Sequence, residues 1–377
     1  MKGCSIDIME KRNLTRTKII QYLFHHPATS KSELARDLDL SMPTVLTHIG
    51  ELLQDGMIAE IGEYASTGGR KANALQIVSD FKISIGIGIL KGMFHITAVD
   101  LYGNAFYTDT IPLPYSNTPD YYKQVTDAVK EFISSRQYDN DKVLGISIAT
   151  QGITSPDHTT VLYGDIMNNA GMKLDDFSRY LPYPCYLEHD SKSAAFLELW
   201  NHPELDSAVI ILLNRNLGGG IITNHQIHQG ISMHSGTLEH MCINPDGPLC
   251  YCGSRGCLET YCSANALEQA ADMPAKEFFP LLREKKSPQI IQIWKDFLNH
   301  LAFAMKNLNL IIDAPIILSG YLAPYFKEED IEYLTEHLHT AAPFILDKTQ
   351  ILVGTNGQYT PAIGAALHYV ETFIQSV

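Results

Sequence analysis

The chain has 377 residues, 45% of them hydrophobic and 19% charged, and a net charge of −14. That length exceeds one ordinary core, so two or three domains are expected, and the composition excludes a low-complexity chain. The longest strongly apolar run, Ala208 to Leu213, is too short to cross a bilayer. The opening MKGCSIDIMEKRN lacks the apolar stretch of a signal peptide, so a reducing cytoplasmic setting is expected, and seven cysteines, an odd number, argue against a disulfide framework.

The first eighty residues carry five Lys and four Arg against five Asp and five Glu, which leaves them near −1 and the remainder near −13. A nearly neutral N-terminal module on an acidic body is compatible with local DNA binding, although charge alone does not establish it. Leu14, Ile19, Ile20, Leu23 and Phe24 recur at helical spacing until Pro27. Ser30-Lys31-Ser32-Glu33 is a capping box that opens a short helix through Leu38. After the Asp39-Leu40 turn, Ser41 caps a third helix with Pro43 in its first turn, an apolar stripe of Val45, Ile49 and Leu52, and a stop at Gly56. Two strands, Met57 to Ile61 and Ala74 to Val78, flank a Gly/Arg/Lys loop, Ser66 to Lys71. This order is that of a winged helix-turn-helix. Met42, Thr44, Thr47 and His48 are expected on the outward face of the third helix, toward a major groove. Arg70 and Lys71 at the wing tip suit phosphate or minor-groove contact. A small helical subdomain used for protein contacts is the alternative.

Beyond Asp80 strands and helices alternate. Ile83 to Ile89 and Phe94 to Val99 read as adjacent strands, with Asp100 to Gly103 turning into a third. Asp120 to Ile133 reads as a helix, Val143 to Ala149 as a buried strand, and Tyr186 to Glu188 as a strand entering a helix from Ser191 to Trp200. Ala208 to Leu213 and Gly220 to Thr223 pair around Gly218-Gly219-Gly220. A long helix from Ile290 to Ile312, a strand from Ile316 to Leu318 and a closing helix from Ala362 to Val370 complete an α/β pattern with two sheets. Cys250, Cys252 and Cys257 fall within eight residues, with His240 one loop upstream. Three thiolates and an imidazole can make a closed tetrahedral zinc site; a redox pair or unliganded core cysteines would use the same residues differently. Cys242 and Cys262 are expected as small core residues.

Several fragments resemble the ROK family (repressors, open reading frames and kinases), in particular its regulators with an N-terminal winged helix. They are Gly68-Gly69-Arg70-Lys71 after the helix-turn-helix, Gly145-Ile146-Ser147-Ile148-Ala149, Gly218-Gly219-Gly220-Ile221-Ile222, Ala362-Ile363-Gly364-Ala365-Ala366, and above all Cys250-Tyr251-Cys252-Gly253-Ser254-Arg255-Gly256-Cys257-Leu258-Glu259 preceded by His240. The resemblance implies residues 1–80 as a winged helix-turn-helix and residues 81–377 as a two-lobed, actin-like and hexokinase-like (ribonuclease H-like) domain that holds a sugar between its lobes. It further implies His240, Cys250, Cys252 and Cys257 as structural Zn²⁺ ligands, and Asp190, His240 and Glu259 as sugar contacts, with His189 standing where the family usually has Asn. Thr237 replaces a Glu and Glu239 a Gly of the family pattern.

Asp190 stands where the family's kinases keep their general base, although an Asp there also suits a helix N-cap. The phosphate apparatus departs from the kinase pattern. Gly88, Leu90, Lys91 and Gly92 stand at the place of Asp-x-Gly-Gly-Thr, and Asn214-Arg215-Asn216 at that of Gly-Thr-Gly. Leu90 denies a phosphate close backbone approach and Gly88 supplies no carboxylate for Mg²⁺. The expectation is therefore no enzyme, with Asp190 a vestigial base. A DNA-binding repressor of carbohydrate genes is expected instead, answering to a sugar or sugar-phosphate effector and acting on an operator as a homodimer or dimer of dimers. A sugar kinase with an appended regulatory domain and a zinc-stabilised interaction protein are the competing readings.

Overall fold

The computed structural model describes residues 8–63, 73–341 and 350–377. At the N-terminal end lie α1 (Ile8–His25), α2 (Lys31–Asp37) and α3 (Met42–Gln54), followed by the antiparallel pair β1 (Ile58–Glu63) and β2 (Asn73–Ile77). The capping box at Ser30 forms in full, with the Ser30 hydroxyl accepting from the Glu33 amide and the Glu33 carboxylate from the Ser30 amide. Ser41 caps α3 through the Thr44 amide. Val45, Ile49 and Leu52 face the core with Leu23 and Leu34, all at most 1% exposed; each such side chain contributes about 1.5–3 kcal/mol by leaving water.

The body holds two five-stranded sheets of the same plan. In the first lobe β3 (Ile83–Ile89), β4 (Met93–Val99) and β5 (Ala105–Pro112) form an antiparallel meander. After α4 (Pro119–Ser135), β6 (Val143–Thr150) joins β3 in parallel. The short pair β7 (Ile153–Thr154) and β8 (Val161–Tyr163) and helix α5 (Asp175–Ser178) then lead to β9 (Cys185–His189), parallel to β6. The spatial order is β5-β4-β3-β6-β9. Helix α6 (Asp190–Asn201) follows without a break.

The second lobe repeats the plan. β10 (Ala208–Leu213), β11 (Leu217–Thr223) and β12 (Gln226–Ile227) make the meander, and helices α7 (Glu259–Cys262), α8 (Ala264–Ala271), α9 (Ala275–Glu284) and α10 (Pro288–Ile311) the crossover. β13 (Ile316–Ser319), α11 (Glu328–Ala341) and β14 (Ile351–Val353) complete the order β12-β11-β10-β13-β14, with β13 and β14 parallel to β10. Two sheets with one strand order and one pattern of directions are the signature of a duplicated fold. The second strand of the pair, expected from Gly220, begins at Leu217 and takes in the whole glycine run, where a Cβ on Gly219 would sit 2.5 Å from Leu238.

Helix α12 (Thr360–Ser376) returns to the first lobe, packing on β3 and β6 and against α6. The two helices meet backbone to backbone: a Cβ added at Gly364 would lie 1.8 Å from the Ser193 carbonyl oxygen. The cluster holding the N-terminal module together also contains Leu197 of α6 and Ile363, Leu367 and Val370 of α12. Phe24 stacks on Tyr102 at 5.1 Å and meets the Trp200 ring at 5.6 Å, while the Gln21 side-chain amide reaches the Ile374 carbonyl at 3.5 Å. The N-terminal three-helix module therefore shares its core with the helices that join the lobes.

Candidate metal centre, ligand cavity and DNA-binding helix

His240 ends a 3-10 turn, Leu238–His240, and the three cysteines occupy the following loop. The chain reverses at Gly256, where φ is +66° and a Cβ would lie 1.6 Å from the Asn244 carbonyl oxygen, so only glycine fits. The reversal brings the four ligand atoms within 4.8 Å of one another. Cys252 Sγ and Cys257 Sγ are 3.7 Å apart, and Cys250 Sγ is 3.9 Å from His240 Nδ1. A tetrahedron with Zn–S bonds of about 2.3 Å has S···S edges of about 3.8 Å, so the donor set and its spacing fit Zn²⁺. His240 Nε2 points the other way, 3.4 Å from the Tyr251 hydroxyl. Cys262 is buried as expected. Cys242 is not a core residue: it is exposed, its thiol directed at the Arg255 carbonyl. It forms an antiparallel bridge with the buried Cys257, but its own side chain stays exposed.

A cavity of about 260 Å³ opens beside this loop, walled by Gln151, Tyr163, Asp165, His189, Glu239 and His240 among others. His189 and His240, expected as sugar contacts, both line it. His189 Nδ1 and Glu239 Oε2 are buried without a hydrogen-bond partner. Burial pushes the Glu239 carboxyl up to about 8 and holds the His189 imidazole down at about 3. Each is held neutral near pH 7, able to donate to or accept from a neutral polyol. Glu239 was noted in the sequence only as a departure from the family's Gly, and it is the buried carboxyl the cavity presents.

The other two expected sugar contacts lie off this wall. Glu259 turns inward from the start of α7, its carboxylate accepting from the Leu217 amide at 2.6 Å and Asn216 Nδ2 at 2.9 Å. It joins the loop to β11, and burial raises it to about 7. Asp190 faces a neighbouring crevice, bounded by Gly88, Leu90, His95, Asn214, Gln358 and Pro361, that encloses only about 10 Å³. Asp190 does not act as a side-chain N-cap: it is the first residue of α6, and its Oδ1 lies 3.3 Å from His189 Nε2 and 3.2 Å from the Ser191 hydroxyl. Burial raises its carboxyl to about 7. The loop after β10 is tied down by its own side chains. Asn214 accepts from the Tyr321 amide at 2.8 Å, Arg215 reaches Glu268 at 3.2 Å, and Asn216 holds Glu259.

On α3, Met42, Leu46 and Thr47 are exposed and Thr44 is half-buried. His48 is a correction: it is 4% exposed, directed inward rather than to a groove. It stands three residues after Val45 and four before Leu52, so helical geometry places it on the same buried stripe. Burial keeps its imidazole below the usual histidine range, with Glu51 at 3.8 Å. The exposed face instead includes Leu46, which the stripe should have revealed. Arg12 pairs with Glu51 and Arg16 with Asp55 at 2.8 Å, which clamps α1 across α3. Arg70 and Lys71 lie outside the described residues.

Residues 82–371 match the model of the ROK family, and residues 12–59 that of a winged helix-turn-helix DNA-binding segment. The chain is 26% identical over 271 residues to the DNA-binding transcriptional dual regulator NagC of Escherichia coli. That match takes in 70% of this chain and 66% of NagC, so the chain spans about two thirds of the relative's length. It is 23% identical over 380 residues to the xylose repressor of Bacillus spizizenii, covering 97% of each. Among solved structures, a ROK family transcriptional regulator described as a homolog of the E. coli MLC protein superposes with a TM-score of 0.72 at 17% identity over 97% of each chain. A ROK family glucokinase from Streptomyces griseus, in complex with glucose and AMPPNP, superposes with a TM-score of 0.66 at 21% identity over 75% of this chain and 98% of that one. No helix among the described residues is long and apolar enough to cross a membrane. With a duplicated two-sheet body matched along most of its length and a helix-turn-helix before it, the chain belongs to the ROK family.

Proposed function

We propose that the protein is a DNA-binding transcriptional regulator, a repressor of carbohydrate-metabolism genes, whose ROK body senses a sugar or sugar phosphate and performs no phosphoryl transfer. The observation that carries this reading is the contrast at α6. The cavity at His189 is roomy and has unpaired polar atoms, whereas the crevice at Asp190 is closed by side chains. Residues 1–80 form the reading module and residues 81–377 the sensor. His240, Cys250, Cys252 and Cys257 hold a structural Zn²⁺, which fixes the loop and so presents His240 and Glu239 to the effector. His189 and His240 contact it directly. Glu259 and Asp190 act from behind, one anchoring the loop and the other holding the His189 ring.

One winged helix touches too few phosphates and base edges for tight specific binding, so a homodimer or dimer of dimers presents two copies to a near-palindromic operator in the cytoplasm. An effector releases DNA only by binding the DNA-incompetent arrangement more tightly, and DNA must then weaken effector binding by the same factor. Met42, Thr44 and Thr47 read base edges, and Arg70 and Lys71 supply phosphate contact. Fluorescence anisotropy on DNA fragments enriched by the full-length protein tests this, with and without a panel of monosaccharides, amino sugars and their phosphates. Thr47→Ala is expected to change the preferred sequence at a cost of about 1–3 kcal/mol, with effector affinity intact. Unchanged DNA binding after removal of residues 1–80 would overturn the reading.

A further inference from the structure

A second cavity, about 290 Å³, lies between β9, α6, β12 and α12. Its volume is at the lower end of the range that small-molecule sites occupy. It shares no lining residue with the cavity at His240. The separation follows from strand alternation along β9, which turns Tyr186 and Glu188 to one face and His189 to the other.

The wall holds polar groups without partners. Ser193 Oγ, in a residue 2% exposed, and Gln229 Oε1 have no hydrogen-bond partner. Glu371 has neither an ion pair nor a hydrogen bond among the described residues, and burial raises its carboxyl. Glu188 is already engaged, accepting from the His189 amide at 2.8 Å, the Tyr186 hydroxyl at 3.3 Å and the Thr154 hydroxyl at 3.4 Å, with His158 Nδ1 3.6 Å away. The lysine in the wall, Lys192, is committed to the backbone carbonyls of His228 and Ser235. One side of the space is aromatic: Tyr186 stacks on His368 with centroids 3.6 Å apart and planes 4° from parallel, and it also meets the His158 ring at 4.7 Å. A carboxyl group without a partner, two unpaired polar side chains and an aromatic wall are complementary to a small ammonium ion carrying further donors.

We propose that this cavity is a second small-molecule site that takes a short organic amine, its ammonium paired with Glu371 and its other donors meeting Gln229 and Ser193. Both helices of the wall carry the N-terminal module. They touch each other at Gly364 and Ser193, and farther along α12 accepts from Gln21 while Trp200 of α6 packs on Phe24. An occupant wedged between them acts directly on the seat of α1. This effect on DNA rests on the DNA-binding reading above; the binding itself does not.

Calorimetry on the full-length protein tests the site with 1,4-diaminobutane and ethanolamine, and with 1,4-butanediol as the uncharged mimic. At least one amine should bind saturably with a Kd in the low millimolar range or below, and the diol should not. Glu371→Gln, at a half-buried position on α12, should keep the wild-type melting temperature and weaken the amine at least tenfold. Ala365→Leu, which fills the space, should abolish binding. Failure of both amines to bind, equal binding of the diol, or undiminished binding by the Glu371→Gln protein overturns the proposal. At saturating amine, affinity for a DNA fragment enriched by the protein should change at least threefold in the wild type and not in Glu371→Gln. Amine binding with unchanged DNA affinity overturns the coupling. Absence of DNA binding even without amine counts instead against the regulator reading.

Discussion

Two spaces meet at the junction of β9 and α6, and they have opposite characters. On the His189 side, about 260 Å³ is lined by polar groups, two of them with unpaired atoms. On the Asp190 side, Leu90, His95, Gln358 and Pro361 leave about 10 Å³, roughly room for one water. His95 is itself fixed there by Thr110 at 2.9 Å and by the Tyr359 ring. Phosphoryl transfer needs both spaces, one for the acceptor hydroxyl and one for a nucleotide and its metal ion. Sensing needs only the first. In the proposed function this difference separates binding from catalysis, and each side can be tested alone.

The largest expected effect falls on the open side. Elemental analysis should find about one Zn per chain after chelator-free purification, and Cys252→Ser should lose it. Removing a closed structural site costs several kcal/mol, and the loop carrying Glu239 and His240 would lose its fixed geometry with it. Effector-induced thermal stabilisation should therefore vanish in Cys252→Ser. Metal-free wild-type protein, or full metal content in Cys252→Ser, would remove the basis for that side of the contrast.

The closed side has its own signature in pH. Asp190 titrates near 7 in the folded chain against 3.8 in its ordinary state. The native state holds that proton longer, so the Asp190 contribution is fully present below about pH 4 and is lost as pH rises to 7. His189, held near 3 against 6.5, runs oppositely and adds stability as pH rises through the same window. In the wild type the two slopes largely cancel between about pH 4 and 6.5. Asp190→Asn, neutral and nearly isosteric, should unmask the His189 slope and leave the variant more stable than wild type at pH 8, by at most about 4 kcal/mol. Urea melts of both proteins from pH 4 to 8 measure this. A stability difference that does not vary with pH would show that Asp190 is solvated and its side of the junction open.

A smaller effect is expected at Glu239. Replacement by Gln keeps the shape and removes the titration, and it should cost about 1–2 kcal/mol against whichever sugar or sugar phosphate shifts the wild-type melting curve. Unaltered affinity for that ligand would place the effector elsewhere in the cleft.

What the sequence disclosed follows from how local each signal is. The Ser30 capping box, the Ser41 cap, the α3 stripe and the Cys-x-Cys loop are written in neighbouring residues, and the structure forms them as read. His48 is legible too, since the 45, 48, 49, 52 spacing is the helical repeat itself and here position outweighs residue type. Glycine weakens strands, so the sequence starts the second strand only at Gly220. The reason for glycine there is the approach of Leu238 and Ser191, residues about twenty to thirty positions away, to β11. The inward turn of Glu259 likewise depends on the Leu217 amide forty-two residues upstream. The amine-seeking cavity assembles Tyr186, Gln229 and Glu371 from three distant segments and had no sequence signal at all.

The smallest expected effect is the most discriminating. Mg·ATP at about 5 mM should stabilise the wild type by less than about 0.1 kcal/mol, the result of a Kd above roughly 50 mM. The reason is steric and electronic together. The crevice has no volume for a triphosphate, Gly88 brings no carboxylate to a metal ion, and the β10–β11 loop has its side chains committed to Glu259, Glu268 and the Tyr321 amide. Leu90→Gly should relieve only the first of these and restore neither nucleotide binding nor turnover, because the loop's side chains stay committed and the metal ligand stays absent. The check is a nucleotide thermal shift on both proteins with a coupled assay across hexoses and amino sugars. Turnover in the wild type that Asp190→Asn abolishes would mean the crevice opens in solution, and the two sides of α6 would then be the acceptor and donor halves of a working kinase.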